Sequence, residues 1–503
     1  MSKTLTDKLA QIEKLIKTAH GSEAQKALLK LRKREKIDGH ERTYAALARR
    51  AYVPELGLRA LHPIICEEGR RRRDASPTDL VEYAACLVRA GAVEEAESYL
   101  QRPEMNSNPN AFFWRGAIKL KKWEYEPAAQ HFNTYLSFTE ITKYEALAGK
   151  LNLAFIYIHL KSFSRAKSLL LEVLAESSPE KEKLTYSAAL RSLGNLELAQ
   201  NNFDPAIDYF TDSLKKLSDS ASLDLYFCDK WLTISRFLKD STNAALQKDL
   251  DRVRSEGVAH NHWESVRDID LHRAVALRDE KLIYYLYYGT PYESFRKRLV
   301  ESYGPLNLDQ DFIWKLGAPG KKTITFSLTS YTHIDDPELR LKIGQTIHRL
   351  LLTLMSDFYR PFSRLELFER IFPGERYAPK VSELRVHQLL FRVREWLVAN
   401  KIPLSIEGDR NEYRLAAEPG VEVICATHGA PETTDNIRIQ KLSTRFPQGF
   451  TTGNAATALG ISRRTAASLI LTAIGEGKLV KKGGGRSRYY DFPSYDTPSK
   501  KAG

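Results

Sequence analysis

Four times between residues 84 and 210 of this 503-residue chain a glycine or alanine is followed by alanine twelve positions later and by a large apolar residue sixteen positions later. The sets are Ala84, Ala96 and Leu100; Gly116, Ala128 and Phe132; Ala154, Ala166 and Leu170; and Gly194, Ala206 and Phe210. Two antiparallel helices approach closely only where small residues meet at their crossing, so each set marks one helical hairpin. A single hairpin leaves a second apolar face exposed and needs a neighbour to cover it. Hairpins recurring in series can therefore only fold as a stack.

The sets resemble the tetratricopeptide repeat (TPR), and imply a helical solenoid with a concave surface for a peptide or partner protein. The alanine-to-alanine steps are 32, 38 and 40 residues, against about 34 in that family, so the repeats are irregular. Residues 77–300 are assigned to this region, with further degenerate hairpins over Leu223–Val253 and Trp263–Tyr288. Residues 1–76 carry amphipathic helices at Thr6–Lys17 and Ser22–Leu31 and are read as N-terminal helices or degenerate repeats. The other reading is a scaffold that only dimerises or spaces other domains. Arg70–Arg73, ahead of Asp74 and Pro77, fits a solvated loop better than a nucleic-acid contact.

A second organised stretch runs from Phe450 to Tyr490. Thr452 is the expected cap of a first helix bearing Ala455, Ala456 and Leu459, and Gly460 suits the left-handed residue that ends it. Ile461 plugs the turn. Ser462 caps a second helix that opens with Arg463, Arg464 and Thr465 and turns Ala466, Leu469, Ile470 and Ile474 inward. Leu479–Val480 then starts a strand, and Lys481 to Arg488 form a glycine-rich basic hairpin closed by Tyr489–Tyr490.

This stretch, over 435–492, resembles the winged helix-turn-helix of bacterial regulators. The resemblance implies that Thr452, Ser462, Arg463, Arg464, Thr465 and Ser468 face a DNA major groove, while Lys481, Lys482, Arg486 and Arg488 hold phosphate or the minor groove. Ser468 departs from the pattern, which would place a basic residue nearby. Residues 434–503 hold twelve basic and four acidic side chains, a balance of +8 within the chain's +13. Such clustering suits a phosphate-binding surface. A winged helix that packs only against protein is the alternative.

Between the two lies a strand at Thr323–Leu328, an amphipathic helix over Leu339–Phe358, and a short helix from Arg364 to Ile371 behind a Ser363/Glu366 capping box. A long helix over Val381–Ala399 and a hairpin over Leu404–Leu415 follow. This order, over 321–416, resembles the OmpR/PhoB-type winged helix. The resemblance implies that Arg385, Gln388 and Arg392 read bases and that Arg410 touches DNA from the wing. Glu407, Asp409 and Glu412 in that wing depart from the family and would repel phosphate. A structural or dimerising role competes with DNA contact here. Residues 417–434 read as a linker and 493–503 as a disordered tail.

The expected fold is thus mainly α: a TPR-like solenoid followed by two winged-helix (α+β) domains. No apolar run is long enough for a membrane span, and the N-terminus lacks a signal-peptide core. Cys66, Cys86, Cys228 and Cys425 form no metal-ligand pairs and fit reduced thiols of a cytoplasmic, nucleoid-associated protein. The histidines are scattered, and Gly483–Gly485 has no Gly-Lys-Ser/Thr sequel, so no enzyme, cofactor or metal is expected. The expected function is a DNA-binding transcription regulator. Its partners would be double-stranded DNA, a protein or peptide in the TPR groove, and in one reading a second copy of itself. A TPR scaffold whose winged helices dock proteins is the alternative. RNA binding ranks below both, because no aromatic platform accompanies the arginines.

Overall fold

Helix follows helix as far as Tyr303 in the computed structural model, which describes all residues except 1–3, 18–20, 67–73, 181, 218–222, 308–312, 317–323, 328–331, 334–335, 341–344, 410–411, 425–433, 476, 484–488 and 493–503. The first helices are α1 (Leu5–Lys17), α2 (Gly21–Arg34), α3 (Glu41–Arg50), α4 (Pro54–Ile65), α5 (Pro77–Ala90), α6 (Val93–Leu100), α7 (Pro109–Lys121) and α8 (Tyr125–Leu136). There follow α9 (Lys143–His159), α10 (Phe163–Glu176), α11 (Lys183–Ala199), α12 (Phe203–Leu217), α13 (Leu223–Lys239), α14 (Ala244–Ala259), α15 (Trp263–Leu277), α16 (Glu280–Tyr288) and α17 (Glu293–Tyr303). Next come β1 (Ile313–Leu316), β2 (Ile324–Ser327), β3 (Thr332–His333), β4 (Asp336–Arg340), α18 (Thr346–Leu354), β5 (Phe362–Ser363), α19 (Arg364–Ile371) and α20 (Val381–Ala399). The remainder is β6 (Leu404–Asp409), β7 (Glu412–Ala417), β8 (Val421–Ile424), α21 (Thr434–Arg445), α22 (Thr452–Leu459), α23 (Arg463–Gly475), β9 (Val480–Lys482) and β10 (Tyr489–Asp491). One compact unit comprises Met1–Phe312 with Leu354–Ala417, the other Ile313–Thr353 with Glu418–Gly503, so 321–416 is shared between them.

The first unit is a TPR-like stack of antiparallel helical hairpins. Consecutive helices pack pairwise, and α9, α11 and α13 pack side by side as the first helices of successive hairpins. Five of these hairpins, from α3–α4 to α11–α12, each turn on one left-handed residue: Tyr52, Gly91, Trp123, Lys161 and Asn201. The small residue of each set lies seven positions before that residue, the alanine five after it and the large residue nine after it. Where the small residue is glycine, the large one is phenylalanine. A methyl group added at Gly116 would stand 2.7 Å from the Phe132 ring, and one at Gly194 would stand 2.6 Å from Phe210. Where the small residue is alanine, at 84 and 154, the large one is leucine, and all four are buried. Ring and side chain thus trade volume at a constant crossing. The uneven spacing of the sets falls in the joints between hairpins.

The same offsets expose a unit that the sequence reading left among the N-terminal helices. Around Tyr52 they fall on Ala45, Gly57 and Leu61. A methyl group on Gly57 would come within 3.1 Å of the Ala45 Cα and 2.8 Å of the Cys86 Sγ. Around Asn261, between α14 and α15, the small and large positions carry Arg254 and Asp270 instead. Their side chains join at 2.7 and 2.9 Å, so an ion pair replaces the apolar match.

Residues 354–417 dock onto this stack. The Glu369 carboxylate accepts the N–H groups of Val93 and Glu95 at 2.9 and 2.8 Å, capping α6, whose own cap residue Ala92 offers no side-chain bond. Ser363 donates to the Ala90 carbonyl at 2.6 Å, the Tyr377 N–H donates to Glu95, and Arg59 holds Glu383 at 2.6 and 2.8 Å. Of the expected capping box only half forms. The Ser363 hydroxyl accepts the Glu366 N–H, but the Glu366 carboxylate is taken by Arg360. The β5, β7 and β6 strands make a three-stranded antiparallel sheet beside α19 and α20.

Glu95 is a weak point of this joint. Its Oε1 is buried with no hydrogen-bond partner, and burial, with Glu369 nearby, pushes its carboxyl up to about 7. The unfolded group titrates near 4.3. Its contribution is therefore fully present below that value and is lost as pH rises through about 7. Glu95→Gln should leave thermal unfolding nearly unchanged at pH 4 and raise stability by about 1–2 kcal/mol at pH 8. An equal shift at both pH values would contradict this.

In the second unit a five-stranded sheet has the order β1-β8-β2-β3-β4, with β8 antiparallel to β1 and parallel to β2. Val421–Ile424 was expected within a linker; its apolar residues instead supply an inner strand. The expected helix over Leu339–Phe358 is shorter, Thr346–Leu354, and its first residues belong to β4. Pro337 stands just ahead of that stretch, while Leu341, Ile343 and Gly344 lie outside the described residues. Further on, α21, α22, α23 and the β9–β10 hairpin share a core of Ile439, Leu442, Phe450, Ala455, Ala466, Leu469, Ile470 and Tyr490. Gly460 takes the left-handed conformation at φ +63°.

Candidate interaction groove

Three successive first helices present one face each to a common cleft of about 270 Å³. Leu151, Asn152 and Phe155 come from α9, Ala188, Arg191, Ser192 and Asn195 from α11, and Phe227 and Trp231 from α13. The steps of three and four residues within each helix are those of a single helical stripe. Most buried polar atoms in a folded protein have a partner. The Asn195 Oδ1 is buried and has none. Asn152 donates its Nδ2 to the Ala148 carbonyl at 2.8 Å.

Charged groups border the cleft. Arg191 pairs with Asp224 at 2.7 Å and lies 5.5 Å from the Phe227 ring. Lys230 pairs with Asp268 at 2.9 Å with its ammonium 4.0 Å above the Trp231 ring. His272 meets Trp231 edge-on at 5.7 Å. Burial pushes its imidazole down to about 4; Lys230 and Arg298 add to that and Asp268 opposes it, so it is neutral at pH 7. Beyond Phe155, His159 stacks on Tyr125 at 4.5 Å and takes a 2.9 Å contact from Arg298. Burial and Arg298 hold His159 far below its ordinary range. The cleft thus offers amide and hydroxyl groups between aromatic walls, suited to the alternating donors and acceptors of an extended main chain. Asn195, next to Gly194 of the fourth set, carries no sequence signal for this position, because the stacking of neighbouring repeats decides what shares a cleft.

The residues expected at DNA are placed as follows. Arg463, Arg464, Thr465 and Ser468 are exposed on α23. Ser462 accepts the Thr465 N–H at 3.1 Å, and their hydroxyls meet at 2.8 Å. Thr452 is not the cap of α22. Thr451 is, in a reciprocal box with Asn454, because the extended residue that precedes the helix is one position earlier. Lys481 is exposed, while Lys482 is paired with Asp491 at 2.6 Å. Arg410, Arg486 and Arg488 lie outside the described residues. On α20, Gln388 and Arg392 are exposed, but Arg385 is bound to Glu375 and stands 4.0 Å from the Phe372 ring centre. Arg385 therefore already has partners where the resemblance placed a base reader. Among the described residues, no helix is long and apolar enough to cross a membrane, and no group of three His, Cys, Asp or Glu side chains could hold a metal ion.

No protein-family model matches the sequence, and no curated protein matches it. Among solved structures the chain is similar to a Rap protein complexed with competence and sporulation factor, at 13% identity and a TM-score of 0.39, over 59% of this chain and 85% of that one. It is also similar to the apo form of RapI, at 16% identity and a TM-score of 0.35, over 56% of this chain and 85% of that one.

Proposed function

We infer that this chain is a helical-repeat interaction protein whose cleft between α9, α11 and α13 binds an extended peptide segment of a partner. The carrying observation is the buried, unpartnered Asn195 Oδ1 on the cleft wall. A main-chain N–H satisfies such an acceptor without regard to side chain, and Phe155, Phe227 and Trp231 supply flat apolar walls for what projects from the chain. The test is an array of random-sequence peptides probed with the full chain. Peptides that bind should lose about tenfold or more in affinity to Asn195→Ala, the usual effect of removing one well-placed bond. Ala188→Trp, which fills the cleft, should abolish binding. Binding indifferent to both substitutions would overturn the assignment.

A second reading, DNA binding by the C-terminal helices and hairpin, rests on a different observation. Arg463 and Arg464 are exposed in the first turn of α23, where free backbone N–H groups also favour phosphate. Arg463→Glu with Arg464→Glu should weaken duplex binding by the full chain at least about tenfold, and wild-type affinity should fall steeply with salt. Absence of a band shift at low salt would dismiss this reading.

A further inference from the structure

The exposed side of α20 has the pattern of a helix seam. Val386, Leu389, Leu390, Val393 and Leu397 are buried on its inner face. On the opposite side Leu384, Phe391 and Val398 recur every seven residues at 55%, 56% and 78% exposure, and Val381 extends the line at 61%. With exposed Gln388 and Glu395 between them, the residues advance in alternating steps of three and four. That is the a/d spacing with which one helix packs along another. Isolated exposed apolar residues need no explanation, but four along one face of one helix do. The helix is held from its other side, where Arg59 and the Tyr377 hydroxyl fix Glu383.

Charge selects the occupant. The seam is flanked by Arg392 on one side, where Arg385 is already paired with Glu375, and by His387 and Arg394 on the other. Glu383 is committed to Arg59, which leaves Glu395 as the exposed acid of the stripe. A second copy of α20 would bring cations against cations along both flanks. A DNA groove would meet four apolar side chains where hydrogen-bonding groups are needed to read base edges. We propose that this face of α20 docks an amphipathic helix of a partner protein, apolar along its own seam and carrying aspartate or glutamate on its flanks.

The probe is a labelled synthetic helix of three heptads with leucine at a and d and glutamate at e and g. Mutual repulsion of its flanks keeps it from pairing with itself at neutral pH. The full chain should bind it with micromolar affinity and bind the lysine-flanked counterpart at least about tenfold more weakly. Leu384→Glu with Phe391→Glu should abolish binding while circular dichroism and the unfolding midpoint stay unchanged, because both positions are exposed. Ala188→Trp, in the cleft, should leave it intact. The proposal would be overturned by no binding of the glutamate-flanked helix up to about 100 μM, by equal binding of both peptides, or by a dimer of the chain that the double substitution dissolves. Loss of duplex binding in that variant would also overturn it and assign the face to DNA.

Discussion

Arg267→Met is expected to cost about 3–5 kcal/mol in urea unfolding, because it leaves a buried carboxylate short of its partner. Arg267 on α15 and Asp357, near the start of the docked 354–417 segment, are both wholly inaccessible side chains. Nη2 donates to the Asp357 Oδ1 at 2.8 Å, and Nη1 reaches both oxygens of Glu264 at 2.6 and 2.7 Å. The guanidinium lies 5.0 Å from the Tyr359 ring and 5.7 Å from that of Tyr292. Burial disfavours its charge, yet Asp357 and Glu264 raise its pKa overall. After substitution Asp357 retains Arg360 at 3.0 Å and the Tyr359 N–H at 3.0 Å, so the loss belongs in this range and not above it. Arg267→Met with Asp357→Leu removes both charges and should recover most of the stability. Hydrogen exchange in α19 and α20 should rise in the single variant, since the bond joins their segment to the stack. A single-variant cost below about 1 kcal/mol would show that the pair is dispensable.

Gly194→Ala should destabilise the chain by up to about 2 kcal/mol, against the usual direction for glycine in a helix. Alanine gains about 1 kcal/mol of helix propensity. Its methyl group, however, would stand 2.6 Å from the Phe210 ring, and forcing excess volume into a packed crossing costs about 1–3 kcal/mol. The partner substitution supplies the control. Phe210→Leu with Gly194→Ala recreates the alanine-and-leucine match found at Ala84 with Leu100 and at Ala154 with Leu170. The double variant should therefore be more stable than the two single costs imply, with a favourable coupling of about 1 kcal/mol or more. Additive costs would mean that the crossing is not shared between these positions.

The repeat was legible because its evidence is local. A small residue, an alanine and a large residue at fixed offsets recur wherever one hairpin closes. The unit at Ala45, Gly57 and Leu61 escaped because glycine stands there in place of alanine. The turn after α22 was legible from Gly460, while the cap was misread by one position between two adjacent threonines. The five-stranded sheet was hidden for a different reason. Its inner strand Val421–Ile424 pairs with strands about a hundred residues earlier in the chain, and no periodicity in four residues signals such a partner. The partners of Arg385 were hidden likewise, since Glu375 and Phe372 reach it from the preceding loop and helix end. The cleft needed curvature, which no single repeat contains.

The common turning residue also limits how such a chain can change length over generations. From Tyr52 to Asn201 the bend and the crossing keep one register, so an added or deleted codon inside a hairpin would rotate one helix by a third of a turn and misalign its whole contact face. The joints between hairpins have no such constraint. Duplication of whole cassettes, and gain or loss of residues at the seams between them, are therefore the changes this architecture can absorb while the interior of each cassette stays the same length.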